Sequence, residues 1–387
     1  MSIRRITASS LLLSGIFLLW APWACAVVPT PMLPIPPAPA LPDVASYVLM
    51  DYQTGQIIAA KSENLRRAPA SLTKLMTAYL AYQALQGGTI QSGETVPVTN
   101  AAWKAGGSSM FIQPGLPVTV DQLLHGLLID SGNDAAVALA EAVAGSQGGF
   151  VTLMNQNAMQ LGLRSTHYTN VDGLPDGDLY TTALDVARLS RAMVAQFPQI
   201  LQITREKSYT YNGITQRSWN PVLFRDPTVD GLKTGLTDAS GHCIDATALR
   251  KGRRLVAVEM GAPSWSAGTS AIEDMLNYGY RFFHNRTLYA AGQKVGAIRH
   301  ASLSPMNIPV GVEAPVTVTV PRGRSGEIQT RLEIANLRAP MAKGTVIGQM
   351  AILLDGRVLQ TVPVATLVPV HPAGVLTRLW HRIRAAL

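Results

Sequence analysis

The segment PASLTKLMTAYLAYQA, residues 69–84, constrains the fold of this 387-residue chain more than any other stretch. Its apolar residues recur near the period of an α-helix whose face is buried: they are Leu72, Leu75, Met76, Leu80 and Ala84. Ser71 lies in the first turn, and Lys74 lies one turn further on, on the same side. A hydroxyl and an amine on a core helix are either a capping pair at a solvent-exposed edge or the reactive groups of an enzyme.

The first 26 residues have the three parts of a secretory signal peptide. Arg4 and Arg5 form the basic region, residues 11–20 form the apolar region, and Ala24-Cys25-Ala26 is a cleavage site made of small residues. An uncleaved membrane anchor and lipid attachment at Cys25 are the alternatives. The segment predicts that the chain is exported.

The number of cysteines, the spacing of the histidines and the net charge each argue against one class of protein. Cleavage after Ala26 would leave Cys243 unpaired, which excludes a disulfide framework, and we expect Cys243 to be a buried small residue. The seven histidines lack the close spacing of a zinc site, so we predict neither a metal nor a cofactor. Loss of Arg4 and Arg5 lowers the net charge from +8 to +6. In an exported chain this charge favours an anionic envelope polymer or membrane surface over nucleic acid.

The apolar patterns predict an α/β (α+β) domain over residues 44–286. Its expected strands are at 46–50, 56–60, 229–235, 242–249 and 254–261, with turns between them. Its expected helices follow Pro69 and lie at 120–128, 134–143, 150–161, 182–194 and 271–283. Residues 87–120, rich in glycine, predict a loop-rich part. This order predicts one sheet, flanked by helices, that takes strands from both ends of its domain.

Composition changes on both sides of this domain. The Pro-rich residues 27–43 predict an extended linker. Alternating apolar runs predict a small all-β domain over residues 287–370, with a hairpin turn at Asp355-Gly356.

Residues 372–387 have the pattern of an amphipathic helix. One face is apolar, with Leu376, Leu379, Trp380, Ile383 and Leu387, and the other is basic, with Arg378, His381 and Arg382. A basic amphipathic helix that carries Trp is typical of an anchor lying in an anionic membrane interface. It is too short and too charged to span a membrane. The alternative is a terminal helix that packs on the second domain.

Three short motifs carry the chemistry. Ser71-Leu72-Thr73-Lys74 opens a helix, Ser131-Gly132-Asn133 interrupts two helices, and Lys233-Thr234-Gly235 ends a strand. Each is weak alone, and Ser218-Trp219-Asn220 fits the second pattern as well. In this order and context they form the signature of serine acyl-transfer enzymes that recognise penicillin.

The residue types explain the predicted roles. A serine hydroxyl becomes a nucleophile when a base within hydrogen-bond reach takes its proton. Lys74 has that reach, but a free lysine with a pKa of ~10.4 is normally charged. Burial and a second cation, for which Lys233 is the candidate, both disfavour the charged form. We therefore predict that Ser71 is the nucleophile and Lys74 its base, with Ser131 relaying a proton to the leaving amine.

The remaining motif residues are predicted to bind substrate. Asn133 would hold the substrate's amide, and Lys233 and Thr234 would bind its terminal carboxylate. Gly235 would let the substrate backbone approach the strand edge, and the N–H groups of Ser71 and Leu236 would stabilise the oxyanion. In the alternative interpretation Ser71 is an N-cap, Lys74 extends to solvent and Lys233 is an ordinary charge in a turn.

The chain resembles the low-molecular-weight penicillin-binding proteins that act as D-alanyl-D-alanine carboxypeptidases, the penicillin-binding protein 5 and 6 type. The resemblance is carried by PASLTKLMT, LLIDSGNDAAVALAE, VDGLKTGLTD, YGYRFFH and, in the second domain, VTVPRGR. It implies the serine β-lactamase and penicillin-binding fold followed by a small β domain. The matching positions, which take the family's roles, are Ser71, Lys74, Ser131, Asn133, Lys233, Thr234 and Gly235.

The same resemblance implies a substrate, inhibitors and a location. The stem pentapeptide of peptidoglycan would acylate Ser71 and lose its terminal D-alanine, and β-lactam antibiotics would inhibit by forming a slow acyl-enzyme. The enzyme would be periplasmic and attached peripherally to the outer face of the inner membrane. The chain departs from several members at Leu236 and Asp172, where those members have His. We expect Leu236 to affect deacylation or substrate preference, and Asp172 to be a turn residue.

Three rival functions follow from the same motifs. A β-lactamase of this fold would turn over benzylpenicillin rapidly instead of keeping a stable adduct. A D,D-endopeptidase would be recognised by its products from cross-linked muropeptides. A wall-binding protein with an inactive site is disfavoured by the three intact motifs.

Overall fold

The computed structural model describes residues 37–335 and 337–374. The predicted signal peptide, residues 27–36 of the predicted linker and residues 375–387 of the predicted anchor helix lie outside the described residues. Within the described ranges no single helix is long and apolar enough to cross a membrane. Two consecutive helices, Asn133–Ala144 and Gln147–Gln160, are long and apolar enough when taken together, but the chain bends by 84° between them.

The first part of the described chain mixes strands and helices. Its strands are β1 (Ser46–Asp51), β2 (Ile57–Lys61), β3 (Thr95–Val96), β4 (Val118–Thr119), β5 (Ser208–Tyr211), β6 (Ile214–Arg217), β7 (Val229–Thr237), β8 (Gly241–Arg250) and β9 (Arg253–Ala262). Its helices are α1 (Lys74–Gln86), α2 (Asn100–Trp103), α3 (Val120–Leu128), α4 (Asn133–Ala144), α5 (Gln147–Gln160), α6 (Ala183–Gln196), α7 (Ile200–Thr204) and α8 (Trp265–Phe282). Single turns of 3-10 helix lie at Ala70–Thr73 and Pro221–Phe224.

Five of these strands form one antiparallel sheet in the order β2-β1-β9-β8-β7. The first two come from the start of the domain and the other three from its end, which confirms the predicted sheet. The order leaves β7 as an edge strand, so one side of its backbone is not paired with another strand of this sheet. Because β7 contains Lys233-Thr234-Gly235, the third motif lies at this edge.

The sheet separates two apolar cores. Val48, Cys243 and Val258 point to one face, where they pack with α1, α3, α4, α5 and α6. Leu49, Ile244 and Ala257 point to the other face, where α8 and the 3-10 turn Pro221–Phe224 cover them. The alternation follows from the two-residue period of a strand. Cys243 is buried, as predicted.

Most of the predicted strands and helices lie within three residues of their predicted bounds, and two differences bear on the fold and the site. Helix α8 begins at Trp265 and not at residue 271, because the Ser264 side chain accepts a hydrogen bond from the N–H of Ala267 and caps an earlier turn. Strand β7 does not end at its motif but continues to Thr237, which pairs with Gly241 of β8. The motif therefore lies inside a strand.

The second part of the described chain is all β. Its strands are β10 (Phe283–Tyr289), β11 (Lys294–Arg299), β12 (Leu303–Ser304), β13 (Asn307–Gly311), β14 (Val316–Pro321), β15 (Gln329–Ile334), β16 (Val346–Leu354), β17 (Arg357–Thr366) and β18 (His371–Pro372). Asp355 and Gly356 turn the chain between β16 and β17, and their φ angles of 52° and 73° are those of the predicted hairpin turn. The predicted boundary at residues 286–287 falls within β10.

This β part contacts the first part at the turn between β1 and β2. Buried Asp51 accepts hydrogen bonds from Asn285 at 3.0 Å and from Arg253 at 2.8 Å. The hydroxyls of Thr54 and Thr319 lie 2.7 Å apart. Strands β1 and β2 are at the side of the sheet opposite β7. The β part therefore attaches away from the edge that carries the third motif.

Candidate active site

Ser71 lies in the 3-10 turn that precedes α1, and α1 itself begins at Lys74. Neither element has a side-chain cap, so Ser71 does not serve as an N-cap. Ala70, the preceding residue, has a φ of 48° in the left-handed region, which a non-glycine residue adopts only where surrounding contacts impose it. The turn presents the Ser71 hydroxyl to Lys74, whose Nζ lies 3.0 Å from Oγ.

Lys74 is fully buried, with none of its surface exposed. Besides Ser71 Oγ, its Nζ lies 2.5 Å from Asn133 Oδ1 and 2.7 Å from the carbonyl oxygen of Asp172. Three oxygens therefore surround one amine in the interior. This arrangement excludes the alternative in which the side chain extends to solvent.

The second motif forms the break between α3 and α4. Ser131 has a φ of 61°, and its carbonyl accepts a hydrogen bond from the Ser108 hydroxyl at 2.5 Å. Asn133 begins α4 and is buried. Its Oδ1 contacts Lys74, and its Nδ2 donates to the carbonyl of Gly106 at 2.5 Å, which leaves one amide N–H for another partner.

The loop opposite this break is held by a buried carboxylate. Asp134 accepts hydrogen bonds from the Ser109 hydroxyl at 2.6 Å and from the backbone N–H groups of Met110 at 3.0 Å and Ile112 at 3.2 Å. A carboxylate with several N–H donors is a strong, oriented anchor. It fixes the loop that carries Ser108 beside Ser131.

Lys233 approaches from the sheet. Its Nζ donates to Ser131 Oγ at 3.0 Å and to the carbonyl of Thr234 at 3.0 Å, and only 1% of the residue is exposed. The interpretation of Lys233 as an ordinary charge in a turn is therefore wrong. The two lysines thus hydrogen-bond to different residues of the second motif: Lys233 to Ser131 and Lys74 to Asn133.

Burial perturbs both amines. Burial lowers the pKa of Lys74 to about 8, although the nearby Asp172 and Asp134 carboxylates act in the opposite direction. The pKa of Lys233 is well below its ordinary value, first because of burial and second because of repulsion from Lys74. Asp130 opposes this shift. Two buried ammonium groups in one site disfavour each other, so the site does not readily hold both charges.

Two glycines allow the backbone to close around Ser71. A Cβ at Gly235 would lie 3.0 Å from Ala70 Cβ and 3.1 Å from Ser71 N. A Cβ at Gly173, whose φ is +91°, would lie 1.9 Å from the carbonyl oxygen of Ala70, closer than atoms can approach. Strand β7 and the loop at Gly173 therefore hold the turn that carries Ser71 from two sides.

A cavity of about 180 Å³ opens in front of these groups. Its lining comprises Ser71, Ser108, Ser131, Trp219, Thr234, Gly235, Leu236 and Trp265. Five of these are predicted site residues: Ser71, Ser131, Thr234, Gly235 and Leu236. Lys74, Asn133 and Lys233 are not part of the lining but hydrogen-bond to it: Lys74 to Ser71, Lys233 to Ser131, and the backbone N–H of Asn133 to the carbonyl of Ser108.

Several residues of the site were not predicted from sequence. Ser108, Trp219 and Trp265 line the cavity, while Gly173 and the carbonyl of Asp172 support Ser71 and Lys74. The Asp172 side chain accepts a hydrogen bond from the N–H of Leu174 at 3.0 Å, which agrees with the turn predicted there. Only the Asp-Gly pair at 172–173 gave a sequence signal, that of a turn. Across the described residues there is no group of three or more His, Cys, Asp or Glu side chains able to hold a metal ion.

Comparison with known proteins identifies the family. Residues 37–264 match the family described as D-alanyl-D-alanine carboxypeptidase, and residues 283–371 match the family described as the C-terminal domain of penicillin-binding protein 5. The chain belongs to the D-alanyl-D-alanine carboxypeptidases of the penicillin-binding type.

Individual relatives agree with this assignment. The chain is 36% identical to D-alanyl-D-alanine carboxypeptidase DacA of Escherichia coli (strain K12) over 342 residues, covering 86% of this chain and 85% of the relative. It is 37% identical to DacD of the same strain, covering 90% and 92%. The solved structure of penicillin binding protein 5 from Haemophilus influenzae superposes with a TM-score of 0.81 at 33% identity, over 87% of this chain and 99% of that one.

The fold and activity implied by the sequence resemblance are confirmed. The protein has the mixed α/β penicillin-binding fold followed by an all-β domain, and it is a serine-type D-Ala-D-Ala carboxypeptidase.

Replacing Gly173 by Ala tests the closure around Ser71. We expect Gly173→Ala to lower the rate of acylation by benzylpenicillin at least about tenfold, because the new Cβ must displace the carbonyl of Ala70. Gly177→Ala, in the same loop with nothing within 4 Å of its Cβ, is the matched control and should react like the unchanged protein. Equal rates for the two variants would show that Gly173 does not position Ser71.

Proposed function

We propose that Ser71 is the residue acylated during D-alanine release, with Lys74 as its base. One observation carries this assignment: a fully buried amine whose pKa falls to about 8 lies 3.0 Å from the Ser71 hydroxyl. A base with a pKa near the working pH combines a useful neutral fraction with a strong drive to take the proton. An ordinary lysine would be almost entirely charged.

Burial favours the neutral form of Lys74, and its partners hold that form in the orientation required. Asn133 Oδ1 and the Asp172 carbonyl can only accept hydrogen bonds, so they take two N–H groups of the amine. A neutral amine has two N–H groups and one lone pair. The lone pair is then directed at the third neighbour, Ser71, whose O–H can donate to it. Asn133 thus has an orienting role besides the predicted contact with the substrate amide.

Substrate binding would strengthen this arrangement. Thr234 lines the cavity and Lys233 lies directly behind it, so a terminal carboxylate at Thr234 favours the charged form of Lys233. A charged Lys233 in turn disfavours the charged form of Lys74. The carboxylate that identifies the substrate therefore also favours the free base on Lys74.

Every proton that moves during acylation passes between four side chains of the site and the substrate. Ser71 Oγ bonds to the carbonyl carbon of the penultimate D-alanine as its proton passes to Lys74, and the N–H groups of Ser71 and Leu236 stabilise the oxyanion. The C–N bond breaks as Ser131 gives its proton to the leaving nitrogen and takes one from Lys233, 3.0 Å away. The two amines together still hold one proton. Water then hydrolyses the ester and frees Ser71.

The substrate is proposed to be the stem pentapeptide of peptidoglycan, and β-lactams are proposed as covalent inhibitors. A β-lactam places a strained amide and a carboxylate where the D-Ala-D-Ala dipeptide would lie, so it acylates the same hydroxyl but leaves no separate amine to depart. Gly235 lets either molecule approach the edge of β7 closely.

Mass spectrometry of the intact protein tests the nucleophile. Without its signal peptide, the protein incubated with benzylpenicillin should gain one adduct that maps to Ser71, and Ser71→Ala should gain none and release no D-alanine from a pentapeptide. Ser218→Ala, in the second Ser-x-Asn sequence, is the control and should still be labelled. Rapid loss of the adduct with multiple turnover would indicate a β-lactamase, and labelling at another residue would refute the assignment.

The pH dependence of acylation tests the base. Because Lys74 must be neutral and its pKa is about 8, the second-order acylation rate should rise with pH up to about 8 and then level off. In Lys74→Arg the side chain stays charged, so the residual rate should be at least about 100-fold lower and lack this rise. A rate for the unchanged protein that falls between pH 6 and 8 would exclude Lys74 as the base.

We further propose that residues 44–286 and 287–370 act as separate catalytic and stalk domains of an exported protein, held at an anionic membrane surface by residues 372–387. The attachment of the β part at the β1–β2 turn, away from the β7 edge, supports a stalk that leaves the site open. The basic amphipathic pattern of the C-terminal residues supports the anchor.

Truncation tests the anchor. A chain that ends at Gly374 keeps β18 and its pairing with β12, so the described structure is retained. It should remain in the supernatant with vesicles that contain about 30% anionic lipid, whereas the chain ending at Leu387 should sediment with them. Penicillin labelling of both forms controls for folding. Equal sedimentation of the two forms would contradict the anchor.

A further inference from the structure

Asp130 is a buried carboxylate to which the proposed reaction gives no part. It lies between α3 and the second motif and directly precedes Ser131. Only 1% of the residue is exposed, and its backbone is fixed because its carbonyl accepts a hydrogen bond from the indole N–H of Trp219 at 3.1 Å. Its carboxylate oxygen Oδ1 nevertheless has no hydrogen-bond partner among the described residues. A buried polar atom without a partner costs free energy, so its presence calls for an explanation.

The Asp130 carboxylate acts electrostatically on Lys233, whose Nζ donates to the hydroxyl of the next residue, Ser131, at 3.0 Å. Its negative charge favours the charged form of Lys233, against the effects of burial and of repulsion from Lys74. It does so without forming an ion pair within the described part of the chain, because charges in a protein interior are screened little. Two other carboxylates of the described residues act on Lys74. Asp130 therefore acts on one amine of the pair in preference to the other.

The surroundings of Asp130 let its charge change near neutral pH. Burial first, and repulsion from Asp134 of α4 second, raise the pKa of Asp130 to about 7, while attraction to Lys233 of β7 acts in the opposite direction. Among the described residues, Tyr209 of β5 is the remaining ionisable group that interacts with Asp130. It stays neutral, because burial raises the pKa of Tyr209 to about 12. The Asp130 carboxylate is therefore mostly ionised above pH 7 and mostly neutral below it.

We propose that Asp130 is a positioning residue for the proton that the two lysines share: its carboxylate keeps this proton on Lys233, so that Lys74 is the free base before substrate binds. The inference rests on the function proposed above. A charged Lys233 disfavours the charged form of Lys74, attracts the terminal carboxylate of the substrate, and holds the proton that replaces the one given by Ser131. Asp130 is not part of the cavity lining, so it acts through Lys233 and not by contact with the substrate.

This role is larger in the free enzyme than in the substrate complex. In the free enzyme, the Asp130 carboxylate is the charge that favours a proton on Lys233. Once a pentapeptide is bound, its terminal carboxylate at Thr234 has the same effect from the cavity. Loss of the Asp130 charge should therefore weaken the binding of substrate more than it slows the reaction of substrate already bound.

The pH dependence of acylation by benzylpenicillin tests the proposal in the chain without its signal peptide. The reaction needs an ionised Asp130 and a neutral Lys74, whose pKa values are about 7 and about 8, so two protons must leave as the pH rises. The second-order rate of the unchanged protein should therefore rise about 50-fold between pH 6 and pH 7. In Asp130→Asn only the Lys74 proton remains to be lost, and the rise should be less than about tenfold.

Release of D-alanine from a pentapeptide at pH 8 provides the second readout. Asp130→Asn keeps the shape of the side chain but not its charge, so KM should rise about tenfold while kcat falls less than about threefold. A residue with a merely structural role would not separate these two constants. Thermal unfolding and the stoichiometry of penicillin labelling show whether the variant is folded.

Glu259→Gln is the matched control. Glu259 is also buried, and burial raises its pKa to about 8, but its side chain lies next to Gly268 on the face of the sheet that α8 covers. This variant should keep the KM and the pH dependence of the unchanged protein.

Three results would overturn the inference: a rise of tenfold or less between pH 6 and pH 7 in the unchanged protein, equal changes of KM and kcat in Asp130→Asn, or the same altered pH dependence in Glu259→Gln. If Asp130→Asn does not fold, the pH dependence of the unchanged protein decides, because it needs no variant. Absence of both D-alanine release and penicillin labelling in the unchanged protein would refute the proposed function and this inference with it.

Discussion

The site depends on holding two lysine side chains in the interior, where no carboxylate of the described residues is in direct contact with either amine. Lys74 is bonded to Ser71, Asn133 and the carbonyl of Asp172, and Lys233 to Ser131 and the carbonyl of Thr234. Neutral oxygens satisfy the N–H groups but compensate a buried charge only in part. The pKa values of both amines are therefore lowered. Under the proposed mechanism, this lowering lets Lys74 act as the base.

Close packing of backbone makes this burial achievable. The turn that carries Ser71, with Ala70 at a φ of 48°, is held between Gly235 on the sheet edge and Gly173 on the opposite loop. Ser131 is likewise at a φ of 61° in the break between two helices. These conformations cost free energy locally, and the compact surroundings sustain them. Under the proposed mechanism, rigid placement of the Ser71 hydroxyl and both amines reduces the reorganisation needed during reaction.

The edge position of β7 connects the chemistry to recognition. Strand β7 is paired on one side only, and Thr234 to Leu236 line the cavity at that edge. The proposed substrate would extend along this unpaired side. The β part attaches at the other side of the sheet, so neither the proposed stalk nor its contacts obstruct this edge.

Local patterns in the sequence determined most of the element types, the sheet that takes strands from both ends, the hairpin at Asp355-Gly356 and the three motifs. Each of these depends on short-range periodicity, turn chemistry or residue identity. The hairpin of β5 and β6 and the short helices α2 and α7 were not predicted. The earlier start of α8 depends on a single cap at Ser264, and the extension of β7 to Thr237 depends on pairing with β8. The apolar pattern encodes neither. Tertiary structure alone decided which oxygens surround Lys74 and that Ser131 hydrogen-bonds to Lys233. It also decided which other residues meet at the site, namely Ser108, Gly173, Trp219 and Trp265. Those residues are distant in sequence, and only the packing of helices against the sheet edge brings them together.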